Sequence, residues 1–202
     1  MIDDLDRTLE ELLVRGLPQG LVDQVTISFA TPNDQFPPTS VSLPAVDLFL
    51  YDVRENRELR SGEWMTERRA DGTATQQRQP VRIDCSYLIT AWPSEGSNTA
   101  ALDEHRLLGE VMKVLLRYPL LPEPVLQGSL RSQPFAPPTS TLQPGHLQNL
   151  GEFWQALGGK PKAALNYTVT VALQVALPQE LGPVAGERAV GMQPDAAATA
   201  GA

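Results

Sequence analysis

"EFWQALGGKPKAALNYTVTVALQVAL" (Glu152–Leu177) passes from a helix signal, through a Gly-Gly stop, into a long alternating strand. Phe153, Trp154 and Leu157 follow Leu147 and Leu150 at helical steps, and Gly158 and Gly159 tolerate the positive φ at which helices commonly end. From Leu165 the apolar residues Leu165, Tyr167, Val169, Val171, Leu173, Val175 and Leu177 alternate with Asn166, Thr168, Thr170 and Gln174, the period of a strand with one face on a core. The polar face is either wet or covered by another subunit. A strand running to Leu177 is long enough to project beyond a small domain and to pair with another chain.

Further strands follow from the same pattern. "PVRIDCSYLITAWP" alternates Val81, Ile83, Cys85, Tyr87, Ile89 and Ala91 against Arg82, Asp84, Ser86 and Thr90, and "QVTISFATP" alternates Val25, Ile27 and Phe29 with Thr26 and Ser28. The near-continuous apolar run of "AVDLFLYDVREN" suggests a strand buried on both faces. Ile2, Leu5, Leu9, Leu12 and Leu13 make an amphipathic N-terminal helix, with Asp3, Asp4 and Asp6 at its positive end and Gly16 and Pro18 at its stop. Leu108, Val111, Met112 and Leu115 stripe a second helix from about Thr99 to Arg117, capped by Asn98 or Thr99. "YPLLPEPVLQGSL" reads as an exit with a short strand near Val125 to Leu130, and "PFAPPTSTLQPG" as loop. The order α, β, β, β, α, β, α, β predicts an α+β fold: a single domain over residues 1–178, with helices on one face of a mainly antiparallel sheet. Residues 179–202, rich in Ala, Gly and Pro, are expected to form a flexible tail.

A length of 202 residues supports one core. The net charge of -8 opposes a phosphate-tracking surface, so no nucleic-acid partner is expected. The single cysteine, Cys85, excludes an internal disulfide. Acids at the N-terminus replace the basic start of a signal peptide, and no apolar run is long enough to span a membrane, which together predict a cytoplasmic site of synthesis without membrane insertion.

Chemistry-bearing groups are sparse. His105 in "DEHRLLGE" reads as a helix-surface or boundary residue flanked by charges, and His146 as part of a turn or cap. "LGGKP" fails as a phosphate loop, because Trp154 stands where the first Gly belongs and Pro161 replaces Ser or Thr; its glycines also end a helix, away from the positive dipole. Asp47, Asp52 and Asp84 are candidate paired carboxylates, but solvated or salt-bridged strand residues are the plainer expectation. Cys85 fits a small buried hydrophobe. No catalytic, cofactor-binding or metal-ligating set is predicted, and a motif-free enzyme would need a concave site around Asp52 and Asp84.

Glu55 to Gln79 mixes charges densely around Trp64 and Met65, and reads as a long arm, partly hairpin, between two core strands. Its charges either keep a solvated hairpin from aggregating or form an interface, since Arg and Trp are enriched at protein contacts. Arg57, Arg60, Trp64, Arg68 and Arg69 are the candidate interface residues.

"LPAVDLFLYDVRENRELRSGEW", "PVRIDCSYLITAW", "EHRLLGEVMKVLLRYPLLP" and "FWQALGGKPKAALNYTVTVAL", in this order after an acidic helix, resemble the cap or tail-terminator family of phage-tail-like extracellular contractile injection systems. The resemblance covers about Met1 to Leu177. It implies a phage-tail-terminator-like α+β subunit without catalysis or cofactors, assembling as a hexameric ring on the distal end of the inner tube and sheath, and thus a component of the particle. The competing expectation is an adaptor that links the particle to a membrane or other cell structure through its tail.

Overall fold

The structure, a computed structural model, describes residues 1–70, 73–143 and 149–181. They fall into two compact units, Met1–Ser61 with Pro80–Val175, and Gly62–Gln79 with Ala176 onward. The larger unit has the expected α+β fold. Its sheet contains β1 (Thr26–Ser28), β2 (Ala45–Glu55), β5 (Val81–Trp92), β6 (Thr139–Thr141) and β7 (Ala164–Leu173), in the order β1-β2-β5-β7-β6. Only the β1–β2 pair is parallel.

Register aligns Leu48 with Ile89 and Ile89 with Leu165, so the alternating apolar residues of three strands share one face. Against that face pack α1 (Ile2–Gly16), through Leu5, Leu9, Leu12 and Leu13, and α3 (Ala100–Arg117), through Leu107, Leu108, Val111, Val114 and Leu115. Burial of each such side chain contributes roughly 1.5–3 kcal/mol. Gly16 allows the end of α1 to approach α3 closely, because a Cβ there would stand 2.4 Å from Val114 Cγ1. A four-residue helix, α2 (Gln19–Val22), follows α1. The two long helices therefore cover one face, while the short α4 (Leu150–Ala156) belongs to the other, where Phe153 lies 6.1 Å from Phe49.

Several expectations are corrected. β2 is buried on both faces only over Ala45–Leu48; a bulge between Leu50 and Asp52 precedes an exposed Val53. The strand expected near Val125 to Leu130 is instead two 3-10 segments, Glu123–Val125 and Gly128–Ser132. Pro122 and Pro124 supply no N–H for a ladder, and buried Val125, Leu126 and Leu130 join the core beside α1. Side chains of α1 hold this segment: Thr8 Oγ1 accepts the Gln127 N–H at 3.0 Å, and Asp4 accepts the Ser129 N–H at 3.0 Å and its hydroxyl at 2.6 Å. These bonds to Ser129 hold the Asp4 carboxyl down at about 2.

The stretch expected as loop after Phe135 contains β6, paired with β7 from Thr139 opposite Val169 to Thr141 opposite Tyr167. Beyond it Gln133 imitates a strand. Its amide nitrogen Nε2 donates to the Ala172 carbonyl at 2.8 Å, and its Oε1 accepts the Ala172 N–H at 2.7 Å. Gln133→Ala is expected to leave both backbone groups without their partner and to cost about 1–3 kcal/mol in urea denaturation; an unchanged midpoint would show that this edge needs no closure.

β7 ends at Leu173 rather than Leu177, and Val175 and Leu177 are exposed. The smaller unit is a three-stranded antiparallel sheet in the order β3-β4-β8, built from β3 (Trp64–Arg68), β4 (Ala74–Arg78) and β8 (Gln179–Leu181). The arm thus contains the hairpin expected of it, whereas the first residues of the expected tail form a strand. The rest of that tail, with His146 and Leu147, lies outside the described residues. Among the described residues of this unit Ala74 alone is buried, so its order rests on backbone pairing and surface contacts.

Candidate assembly surfaces

The five candidate interface residues are all exposed, and they are divided between the units. Arg57 and Arg60 stand in the larger unit just past β2, where Asn56 continues the ladder by donating its N–H to the Arg82 carbonyl at 2.9 Å. Asn56 Oδ1 then accepts the Leu59 N–H at 3.1 Å, which turns the chain, and Arg60 Nε lies 3.2 Å from Glu55 Oε1. Both partners of that pair reach solvent, so it fixes orientation more than it adds stability.

Trp64, Arg68 and Arg69 belong to the smaller unit. Trp64 opens β3 opposite Arg78, whose guanidinium sits 5.1 Å from the indole centroid, a cation–π contact. Arg69 pairs with Glu180 of β8 at 3.3 Å. Arg78 and Glu180 were not among the residues singled out from sequence: pairing of Arg78 with Trp64 requires the hairpin register, and Glu180 lies in the stretch expected to be tail.

The sheet face of the larger unit turned away from α1 and α3 has two regions. In the first, Phe36 stacks on Trp92 at 4.2 Å and Trp154 packs edge-on to Phe153 at 5.6 Å. Asn149 caps α4 by accepting the Glu152 N–H at 3.2 Å. At its other end Gly158, at φ +67, and Gly159 return their N–H groups to Gln155 and Trp154 at 3.1 Å, a Schellman stop as read from "LGGKP". Beside this turn, at the sheet end that the start of α3 also reaches, a cavity of about 560 Å³ is lined by Trp92, Lys160 and Lys162 together with Glu104 and His105 of α3. Lys162 Nζ reaches Glu104 Oε2 at 2.5 Å and lies 4.3 Å from the Trp92 ring, so its charge is already matched. His105 is exposed, as expected.

The second region is a polar stripe that bonds to itself. Ser86 and Thr168 hydroxyls meet at 3.0 Å, Thr170 Oγ1 donates to Asp84 at 2.6 Å, and Asn56 Nδ2 reaches the same carboxylate at 3.0 and 3.2 Å. Tyr51 donates its hydroxyl to Asn166 at 2.7 Å. The polar face of β7 is therefore neither simply wet nor dependent on another subunit for these bonds.

Asp47 stands apart from the other two carboxylates, whereas Asp52 and Asp84 line one open cavity of about 640 Å³ with Arg54, Asn56 and Arg57. Asp52 is held by Arg54 at 2.5 and 2.7 Å, and Asp84 by Asn56 and Thr170. Asp47 faces Thr90 and Asp84 faces Arg54, six positions apart along β5, or about 20 Å at the usual strand rise. Asp47 is also neither solvated nor salt-bridged, contrary to expectation. It is fully buried, accepts the Ala30 N–H at 3.0 Å on Oδ1, and leaves Oδ2 without a partner. Burial pushes its carboxyl up to about 7, against the opposing effect of hydrogen bonds from Ser28 and Ala30. Cys85 packs in the core as expected, with its thiol pushed up to about 11 by burial. Among the described residues no group of three His, Cys, Asp or Glu side chains is placed to hold a metal ion, and no helix is long and apolar enough to cross a membrane.

What the geometry offers is surfaces: a rigid two-layer body, and a hairpin sheet carrying Arg, Trp and Met on an open edge. Three comparisons bear on their use. The model of the Pvc16 N-terminal domain matches residues 4–185. Among solved structures, the chain is similar to the PVC sheath/tube terminator, in its extended state, of an extracellular contractile injection system, at 28% identity and a TM-score of 0.63 over 100% of this chain and 65% of that one. It also shares its fold with the tube terminating cap of the anti-feeding prophage, at 24% identity and a TM-score of 0.59 over 96% of this chain and 61% of that one. It thus spans less than two thirds of either neighbour's length. No curated protein matches it.

Proposed function

The chain belongs to the Pvc16 N-terminal domain family, and on that premise we propose that it is the structural cap of a contractile injection system, ending tube and sheath polymerisation at the distal end of the particle. The observation that carries this is the likeness, over the whole of this chain, to a sheath/tube terminator. The protein acts as a component of the particle and has no catalytic role; the engagement of Asp52 by Arg54, and of Asp84 by Asn56 and Thr170, supports that.

The physical task is one of mismatched faces. The end of a tube exposes the surface that the next ring of tube subunits would bind. A cap must match that surface on one side and present a non-propagating surface on the other. We assign the assembly as a hexameric ring meeting the inner tube and the sheath. Cyclic repetition multiplies each contact, so modest affinity per subunit becomes tight binding of the ring. The arm residues Arg57, Arg60, Trp64, Arg68 and Arg69 are assigned to contacts between subunits or with the tube: exposed Arg and Trp suit protein interfaces. Residues 1–178 form the capping domain in this proposal.

Electron microscopy of particles from cells with and without the protein tests the proposal. Tubes of uncontrolled length with open ends are expected in its absence. Capped particles of normal length would overturn termination and favour an adaptor that links the particle to other cell structures.

A further inference from the structure

We propose that the open edge of β3 is a self-complementary docking strand, and that it pairs antiparallel with β3 of a second copy of this chain about a two-fold axis at Thr66. The proposal goes beyond the assignment of the arm to the ring: it concerns the isolated protein and stands or falls without the particle.

The hydrogen-bond phase of the hairpin defines the edge. The Gln79 N–H donates to the Glu63 carbonyl and the Arg69 N–H to the Thr73 carbonyl at 2.8 Å. In an antiparallel ladder such pairs alternate. With Trp64 opposite Arg78 and Arg68 opposite Ala74, the backbone groups of Met65 and Glu67 face β4, and those of Trp64, Thr66 and Arg68 face outward. Among the described residues β3 is the terminal strand of its sheet, and all five of its residues are exposed. No bulge or proline blunts it: the pairing with β4 is regular and "WMTER" contains no Pro, while its charges, Glu67 and Arg68, are of opposite sign and favour an antiparallel partner over a parallel one.

Self-pairing about Thr66 uses every outward group. Trp64 meets the second copy's Arg68, Thr66 meets Thr66, and Arg68 meets the second copy's Trp64, each as a hydrogen-bonded pair that exchanges two bonds. The side chains agree with the backbone. Trp64 already holds one guanidinium across the hairpin, that of Arg78 at 5.1 Å, and the two-fold pairing sets Arg68 of the other copy at the equivalent position on its open side. Thr–Thr and aromatic–cation pairs are favourable cross-strand neighbours. A parallel alignment would set Arg68 against Arg68, and like charges directly opposite are unfavourable. The contact is isologous, so it closes on itself. It therefore covers the edge in subunits outside the ring, and ring contacts, which are head-to-tail, replace it on assembly.

Residue 66 lies opposite itself in this pairing, with Cα atoms about 5.5 Å apart, inside the range a disulfide spans. Thr66→Cys supplies the reporter, because the native Cys85 is buried. Under mild oxidation Thr66→Cys is expected to give covalent dimers at least several-fold faster than Met65→Cys, which would face Glu67. Thr66→Pro removes an outward N–H while sparing the bonds to β4; in analytical ultracentrifugation it is expected to sediment at 22.0 kDa where the wild type has twice that mass. A wild type that stays monomeric up to about 100 μM, equivalent to a free energy weaker than roughly −5.5 kcal/mol, overturns the proposal. So do equal cross-linking rates at 65 and 66.

Discussion

Asp47→Asn should stabilise the protein above pH 7 and leave its stability nearly unchanged near pH 4. Asp47 is fully buried, with Oδ1 taken by the Ala30 N–H and Oδ2 unpartnered. No ion pair reaches it among the described residues. A charge there loses hydration that two hydrogen bonds do not restore, which is why its carboxyl is pushed up to about 7. The folded chain therefore binds this proton more tightly than the unfolded chain, whose Asp titrates near pH 3.9. The resulting stabilisation is fully present below the unfolded value and is lost as pH rises through the folded one. Asn resembles the neutral acid in shape and keeps an acceptor for Ala30, but it cannot ionise. The difference between variant and wild type should grow by about 1.4 kcal/mol per pH unit across that window, to a ceiling of about 4 kcal/mol. Urea denaturation at pH 4, 5.5 and 8 measures it. A difference that is flat with pH would mean that Asp47 is ionised and satisfied in the folded protein.

Sequence carried the core well because the core repeats. Alternation over Val81–Trp92 and Ala164–Leu173 and the helical stripes of α1 and α3 each offer many equivalent positions, so one irregular residue does not hide the period. β6 offers three residues of Thr and Ser after two prolines, with no period to detect, and it pairs only because β7 presents a free edge. The segment from Pro122 to Ser132 is apolar enough for a strand, yet proline removes the donors a strand needs, and burial is achieved by single side chains beside α1. Asp47 illustrates a different limit. A lone carboxylate within an apolar strand gives no sign of whether a cation will stand opposite, and here the facing residue is Thr90. The five arm residues were legible as exposed, charged and aromatic. Their division between two units was not, because the boundaries near Ser61 and Pro80 depend on where pairing with β5 gives way to pairing within the hairpin.

Shortening the arm from Glu58 to Gln76 should leave a folded larger unit that no longer ends particles. The hydrophobic cluster draws no member from the smaller unit, where Ala74 is the sole buried residue described. β2 and β5 are antiparallel neighbours, with Glu55 opposite Ile83 and the Asn56 N–H on the Arg82 carbonyl, so a tight turn can join them in place of the arm. Far-ultraviolet circular dichroism should lose only strand signal equivalent to the hairpin, and the thermal midpoint should move by no more than a few degrees. Particles made with the shortened chain should then show tubes without a length limit, as in cells lacking the protein. Two narrower changes divide the effect. Arg57→Glu alters the larger unit alone, and Trp64→Ala with Arg68→Ala alters the hairpin alone; loss of capping in the second but not the first would place the decisive contact on β3. A shortened chain that still caps tubes at normal length would remove the arm from the mechanism and move the contact to the two-layer body, where the Trp92 and Lys162 cavity and the polar stripe beside Asp84 are the surfaces left to test.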